Sequence, residues 1–152
     1  ALATRLGEDA DAWGLAGLGH DLDAEETEGD VSRHGREAAE TLAGLGLPEE
    51  VVHAVAAHNH DTGVAATAPI DVALIAADQL SGLITAAALV RPDKDLAGVK
   101  VKSMRKRYRE GAFARGVDRG SIARCEDLGL GLDEFFGLGL EAMQGIAGEL
   151  GL

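Results

Sequence analysis

Apolar residues recur with the spacing of an α-helix along nearly the whole chain, and no segment alternates apolar and polar residues with a period of two. This pattern predicts an all-α fold. Start and stop signals divide the pattern into successive helices. They are predicted over residues 11–21, 32–44, 48–58, 69–90, 100–113 and 118–127, with a last apolar stripe from Leu132 to Leu150 and the tail of a further helix at residues 1–6.

The predicted helix starts follow from local chemistry. Ser32 can cap the second helix, because a serine side chain accepts hydrogen bonds from the first free backbone amides. Pro48 is followed by two glutamates, and both residue types are favoured in a first helical turn. Pro69 opens the longest apolar helix. Asp118 has the acceptor side chain typical of a cap and is predicted to start a short helix.

Composition limits the class of protein. At 152 residues the chain can bury a core, and no internal boundary is evident, so residues 1–152 are expected to form one domain. The formal net charge of −12 argues against binding to nucleic-acid polymers or anionic membranes. The apolar run 72–90 contains Asp78, which favours a core helix over a membrane span. A single cysteine, Cys125, excludes an internal disulfide and fits a reducing, cytoplasmic location.

Candidate chemistry begins with His20-Asp21, a doublet that ends an apolar helical run. Taken alone, the doublet favours a histidine that caps its helix beside an exposed aspartate. However, His58 closes a second predicted helix and Asp78 lies within a third. Metal sites in helical bundles collect ligands from facing helices, and mixed imidazole and carboxylate ligands suit several divalent metals. The four residues together predict a bound divalent cation, which can activate water.

Two of the candidate ligands have alternative interpretations. Asp78 lies among apolar residues, where a carboxylate without a partner is costly. Its partner is a cation or an arginine, unless this helix simply has a polar face there. His34 is predicted in the first turn of its helix, where a charged histidine would oppose the helix dipole. A neutral, ligating histidine and an exposed surface histidine fit His34 equally well.

Other histidines and aspartates near these positions are predicted to be peripheral. His53 is five residues from His58 on the same helix, so it faces another side and is expected to be packed or to support a ligand. Asp71 is seven residues before Asp78, on nearly the same face, and either supports the site or faces water. The remaining pair, His60 and Asp61, is expected to be solvated in a turn.

The motifs resemble those of a known family. The segment Gly17-Leu18-Gly19-His20-Asp21-Leu22-Asp23 resembles the signature of the HD-domain superfamily of metal-dependent phosphohydrolases, and Ala76-Ala77-Asp78-Gln79-Leu80 is similar to its distal aspartate motif. More narrowly, the chain resembles a small bacterial and archaeal HDIG-type branch of predicted hydrolases. That likeness includes residues 51–59, 80–84, 88–92 and 140–144, in the same order and at the same distances, and covers essentially the whole chain.

This resemblance implies a single-domain, HD-type helical bundle with a metal between its helices. It implies that His20, Asp21 and Asp78 are ligands of a first metal, and that His34 and His58 match the additional histidines of two-metal members. We also assign Asp21 a catalytic role. The implied cofactor is one or two divalent ions, with Fe, Mn, Ni, Co, Zn or Mg as candidates.

The sequence departs from the family pattern in two places. The superfamily signature begins with a histidine on the first helix, and no histidine precedes His20 here. We expect that a segment carrying it is missing, so that residues 1–152 are an HD domain incomplete at its N-terminus; the other interpretation is a degenerate site. In addition, His60 stands where relatives usually have an acidic residue.

The predicted activity is hydrolysis of a phosphate ester or anhydride in a nucleotide or other small phosphorylated molecule. Residues 100–109 hold six of the fourteen Lys and Arg residues. Lys102 and Arg105 lie three apart on one helical face and are the candidate phosphate contacts, although a solvated face paired with acidic residues is the alternative. The competing function is a catalytically degenerate HD-like module that binds a nucleotide or a protein. Cys125 is predicted to be a buried structural thiol, and a homo-oligomer is compatible with the sequence.

Overall fold

A computed structural model describes residues 1–152, and it contains helices and no strands. The all-α prediction is therefore confirmed. The α-helices are α1 (Leu2–Leu6), α2 (Ala10–Gly19), α3 (Arg36–Gly44), α4 (Glu49–Ala57), α5 (Pro69–Leu89), α6 (Val101–Arg109), α7 (Arg119–Ala123), α8 (Leu132–Gly145) and α9 (Ala147–Leu150). Short 3-10 helices lie at His60–Thr62, Leu96–Gly98 and Arg124–Leu128.

The chain divides into two compact units. The N-terminal unit comprises residues 2–75 and the C-terminal unit residues 76–152, with Ala1 grouped with the latter. The boundary falls inside α5, after Ile75. The assignment of residues 1–152 to one HD domain stays a prediction.

The N-terminal unit has a core of small side chains. Its helices α2 and α3 both pack against α4. Ala12 and Ala16 line the buried face of α2, and Val51 and Val55 line that of α4. Small residues let helix backbones approach closely, and each contributes less buried apolar area than a leucine or phenylalanine.

The C-terminal unit has a core of large side chains. Phe135 and Phe136 of α8 are 1% exposed, and Leu83, Ile84 and Met104 are fully buried. Since helix α6 packs against α8, Met104 belongs to that layer. The apolar stripe predicted from Leu132 to Leu150 is confirmed as a core face at Phe135, Phe136 and Leu140, whereas Ile146 and Leu150 are exposed.

Several predicted boundaries are confirmed. Helix α4 begins directly after Pro48 and ends at Ala57, with His58 as its C-cap. Helix α5 begins at Pro69. Asp118 caps α7 by accepting hydrogen bonds from the amides of Gly120 and Ser121.

The predicted cap of α3 is wrong. Ser32 does not cap that helix; its hydroxyl donates to Asp30 Oδ1 at 2.7 Å. The N-cap is Gly35, and the amides of Gly35 and Ala38 donate instead to Asp23, which lies in the preceding loop. The acceptor for the first amides of α3 is therefore a carboxylate distant in sequence and not the local serine.

Two predicted helices are shorter than expected. Helix α6 ends at Arg109, four residues before the predicted end, and the carbonyls of Glu110 and Phe113 that follow it accept hydrogen bonds from the Arg119 guanidinium. The last apolar stripe breaks at Ile146, whose φ of −120° and ψ of 17° are not helical. Glycines flank this break, and glycine weakens helices.

Helix α5 is long and apolar enough to cross a membrane, judged by length and composition alone. The mean hydropathy of its most apolar window is 1.7, and 50% of that window is buried within the protein. The buried core helix of a soluble protein meets the same criteria.

Candidate metal centre

Two histidines of the N-terminal unit occupy the same position at the ends of different helices. His20 is the C-cap of α2 and His58 is the C-cap of α4. In each case Nδ1 donates to the carbonyl three residues earlier, Gly17 O at 2.8 Å and Val55 O at 2.6 Å. A carbonyl oxygen can only accept a hydrogen bond, so Nδ1 carries the ring proton. In the neutral form of each ring, Nε2 is therefore the nitrogen that carries the electron pair.

His34 is also hydrogen-bonded through Nδ1, but its partner is a side chain and not a helix carbonyl. It was predicted in the first turn of a helix, but it lies in the loop just before Gly35, the N-cap of α3. It has no preceding helical turn to supply a carbonyl. Instead its Nδ1 lies 2.9 Å from Asp23 Oδ1. An ionised carboxylate is an acceptor only, so His34 carries a proton on Nδ1, and in the neutral ring Nε2 is the acceptor atom.

These ring nitrogens converge with the carboxylate of Asp21. His34 Nε2 lies 3.2 Å from His58 Nε2 and 3.4 Å from Asp21 Oδ1. Asp21 Oδ1 is 4.0 Å from His58 Nε2, and its Oδ2 is 3.3 Å from His20 Nε2. Ligand atoms bound about 2.0–2.2 Å from one ion at tetrahedral angles are roughly 3.3–3.6 Å apart. Asp21, His34 and His58 thus have the spacing of a metal-ligand set.

With the three rings neutral, the facing atoms are all hydrogen-bond acceptors, and a cation between them would interact favourably with each. Two unprotonated Nε2 atoms at 3.2 Å repel unless they share a proton or a cation. Burial lowers the pKa of His58 below its ordinary value. That shift disfavours an extra proton on His58. The donor set fits a divalent cation, and Asp21, whose side chain is 57% exposed, leaves the position open to solvent.

Asp23 is a site residue that the sequence reasoning did not identify. It is 5% exposed, and its Oδ2 accepts hydrogen bonds from the amides of Gly35 and Ala38, both at 2.8 Å. Burial alone would raise its pKa, but the hydrogen bonds from Ala38, His34 and Gly35 outweigh burial and hold the pKa of Asp23 below its usual value. Thr27, four residues on, is also buried and its hydroxyl donates to the Asp23 carbonyl, so both side chains lie on the inward face of the acidic loop.

Two further residues fix the loop that carries His34. The side-chain amide of Asn59 donates to Val31 O at 2.6 Å and to His34 O at 3.0 Å. Gly35 has a φ of 86°, and a Cβ there would lie 3.1 Å from Val55 O and 3.0 Å from a ring carbon of His58. Only glycine satisfies both the backbone angle and this approach.

The other predicted positions are less central. Asp78 is half-buried in the part of α5 that belongs to the C-terminal unit, where its Oδ2 accepts a hydrogen bond from Gln79 Nε2 at 2.9 Å. The prediction that His60 is solvated is confirmed, since its side chain is 93% exposed. The alternative that Asp71 faces water is wrong: Asp71 is fully buried, lies 3.1 Å from His53 and accepts hydrogen bonds from two amides at the start of α5.

The basic helix lies in the C-terminal unit. Arg105 forms a two-pronged ion pair with Asp133 of α8, and Lys102 is exposed. Arg105 also lines a surface cavity of about 480 Å³, together with Tyr108 and Arg109. Cys125 is fully buried, as predicted, and burial together with nearby acidic residues raises the pKa of its thiol to about 11.

Comparison with known proteins gives no match: no protein-family model, no curated protein and no solved structure is similar to this chain.

Proposed function

We propose that the protein is a metal-dependent phosphohydrolase that acts on a nucleotide or another small phosphorylated molecule. One observation carries the proposal: the Nε2 atoms of His20, His34 and His58 converge on the carboxylate of Asp21, with each Nδ1 already bonded. The resemblance of the His20-Asp21 motif to the HD-domain signature supports the reaction class.

The residues that would hold the cation are Asp21, His34 and His58, with His20 beside them. When bound, a divalent cation would lower the pKa of a water molecule and polarise a phosphoryl oxygen. Three imidazoles and one carboxylate favour Fe, Mn, Co, Ni or Zn over Mg, which prefers oxygen ligands. We infer a transition metal as the resident ion.

Substrate contacts are assigned by charge. Lys102 and Arg105 remain the proposed phosphate contacts. Arg105 already binds a planar carboxylate with two donors, and the same fork can accept a phosphate in exchange for Asp133. Asp78 remains a proposed metal ligand on the strength of the motif resemblance.

A phosphatase screen of the full chain tests the proposal. The protein is loaded with Mn²⁺, Co²⁺ or Zn²⁺ and assayed with nucleotides and small phosphate esters. Asp21→Asn removes the ligand charge, and Asp61→Asn is the matched control, since Asp61 is an exposed aspartate outside the cluster. We expect phosphate release that Asp21→Asn reduces by at least about 100-fold and Asp61→Asn leaves unchanged.

Two results would contradict the enzyme assignment. Activity that is equal in Asp21→Asn and in the unaltered protein would exclude the His–Asp cluster as its source. Stoichiometric metal without hydrolysis of any substrate would favour the alternative function, a binding module of the same fold.

A further inference from the structure

The N-terminal unit contains two aspartate–histidine pairs that are built alike. In the first, Asp23 Oδ2 accepts two backbone amides and Oδ1 lies 2.9 Å from His34 Nδ1. In the second, Asp71 Oδ2 accepts the amides of Thr67 and Ala68, and Oδ1 lies 3.1 Å from His53 Nδ1. Both aspartates are buried. Only the first histidine belongs to the cluster that contains Asp21.

This arrangement fixes more than the position of the imidazole ring. The two amides hold Oδ2 of Asp23 in place, so Oδ1 is the atom that faces His34. An ionised carboxylate oxygen only accepts, and the ring must therefore keep its proton on Nδ1. The consequence is that Nε2 of His34 faces Asp21 and His58, and in the neutral ring this atom carries the electron pair.

His34 depends on this contact in a way that its neighbours do not. The Nδ1 atoms of His20 and His58 donate to carbonyls of their own helices, which the helix ends supply. His34 precedes its helix, where free amides rather than free carbonyls are found. An acceptor had to come from elsewhere in the chain, and Asp23, eleven residues earlier, provides it.

We propose that Asp23 is a positioning residue: it sets the tautomer and orientation of His34 so that Nε2 faces the cluster. The effect of Asp23 on metal binding rests on the proposed function, whereas its effect on the tautomer of His34 does not. Such outer partners of ligating histidines typically change metal affinity by about 10- to 100-fold when they are removed.

Asp23→Asn is the most informative variant because it replaces one acceptor oxygen by an NH₂ donor and changes little else. The amides of Gly35 and Ala38 require an acceptor, so the Asn oxygen should take the place of Oδ2. Its NH₂ group then faces His34 and donates to Nδ1, which forces the ring proton onto Nε2. The helix cap is retained while the ligand atom is blocked.

Asp71→Asn is the matched control. It makes the same chemical change in the same kind of contact, and it should switch the tautomer of His53. His53 is not a member of the Asp21, His34 and His58 group. Loss of stability or a general effect of removing a buried charge would appear in both variants.

The experiment has two readouts on the full chain. The first is ¹⁵N NMR of the histidine rings in metal-free protein at a pH of about 8, where ordinary histidines are neutral. We expect His34 protonated at Nδ1 in the unaltered protein and at Nε2 in Asp23→Asn. The second is calorimetric titration with Zn²⁺, in which Asp23→Asn should weaken binding by about 10- to 100-fold and Asp71→Asn by less than about twofold.

The outcomes separate the two proposals. His34 protonated at Nε2 in the unaltered protein overturns the role of Asp23, and this readout needs no variant to fold. Unchanged Zn²⁺ affinity in Asp23→Asn, or equal losses in both variants, also overturns it. If the unaltered protein binds no metal, the proposed function fails, while a switched His34 tautomer still supports the positioning role.

Discussion

The two units of the protein differ in charge and in core. The N-terminal unit contains three of the fourteen basic residues and fifteen of the twenty-six acidic ones, so it carries the whole net charge of −12. The C-terminal unit contains eleven of each and is neutral. Alanine and valine make up most of the first core, beside Leu42, Ile70 and Leu74, whereas the second core contains the buried phenylalanines and methionine.

The difference shows how stability and chemistry are distributed. An acidic surface raises the local concentration of cations, and the N-terminal unit combines that field with acceptor atoms directed at one point. The C-terminal unit instead buries large apolar side chains, which stabilise a fold most strongly per residue. We expect changes in the first unit to alter cation binding and changes in the second to alter stability.

The largest expected effect is on the large-residue core. Phe136→Ala should lower the free energy of unfolding by about 3–5 kcal/mol, because it leaves a cavity beside Tyr108 in a fully buried position. Val51→Ala in the small-residue core should cost only about 1.5–2 kcal/mol, since two carbons are removed. Urea denaturation followed by circular dichroism measures both. Equal losses of unfolding free energy in the two variants would contradict the contrast between the two cores.

The next effect concerns the approach of Gly35 to His58. Gly35→Ala should destabilise the protein by about 1–3 kcal/mol and also weaken metal binding, because the new Cβ would meet Val55 O and the His58 ring. Gly29→Ala is the matched control, with the same φ of 86° and no atom within 4 Å of the added Cβ. Thermal denaturation and Zn²⁺ titration of both variants test this. Metal affinity that falls equally in the two would contradict the account.

A smaller effect separates two helix caps, one in each unit. Asp9 caps α2 and Asp118 caps α7, each through two backbone amides. Removal of such a cap costs about 1 kcal/mol. Asp9→Ala should cost less than Asp118→Ala, because it also relieves repulsion in the acidic unit, and the difference should shrink in 1 M salt. If the difference in stability loss between the two variants persists in high salt, charge repulsion is excluded as its cause.

The smallest effect is expected for the reactivity of the Cys125 thiol in native protein. With its pKa raised to about 11, only about one thiol in a thousand is ionised at pH 8, and the side chain is fully buried. Native protein should therefore react with a thiol reagent only after denaturant is added. Rapid reaction of native protein would show that the core of the C-terminal unit opens readily.

Much of the fold followed from local signals. Pro48, Pro69 and Asp118 start helices where their chemistry predicts, because these effects act within one turn. The start of α3 did not follow, since its cap comes from Asp23, twelve residues before Gly35. Local chemistry at Ser32 gave no indication that a distant carboxylate would take its place.

The sequence predicted that His20, Asp21, His34 and His58 would lie together, but it did not predict the residues that support them. His20 and His58 close apolar runs, and the structure brings both close to Asp21 and His34. Asp23 stands in an acidic stretch with several other carboxylates, and the sequence does not mark which of them is buried. The conformation of Gly35, which keeps His34 outside α3, likewise depends on packing against His58.

Metal content tests the central claim most directly. The full chain and a His34→Ala, His58→Ala double variant are dialysed against Zn²⁺, Mn²⁺ or Co²⁺, and bound metal is measured by mass spectrometry. The account predicts about one or more ions per chain in the unaltered protein and almost none in the double variant, with helical content retained. A chain without stoichiometric metal, or a double variant that keeps it, would contradict the account.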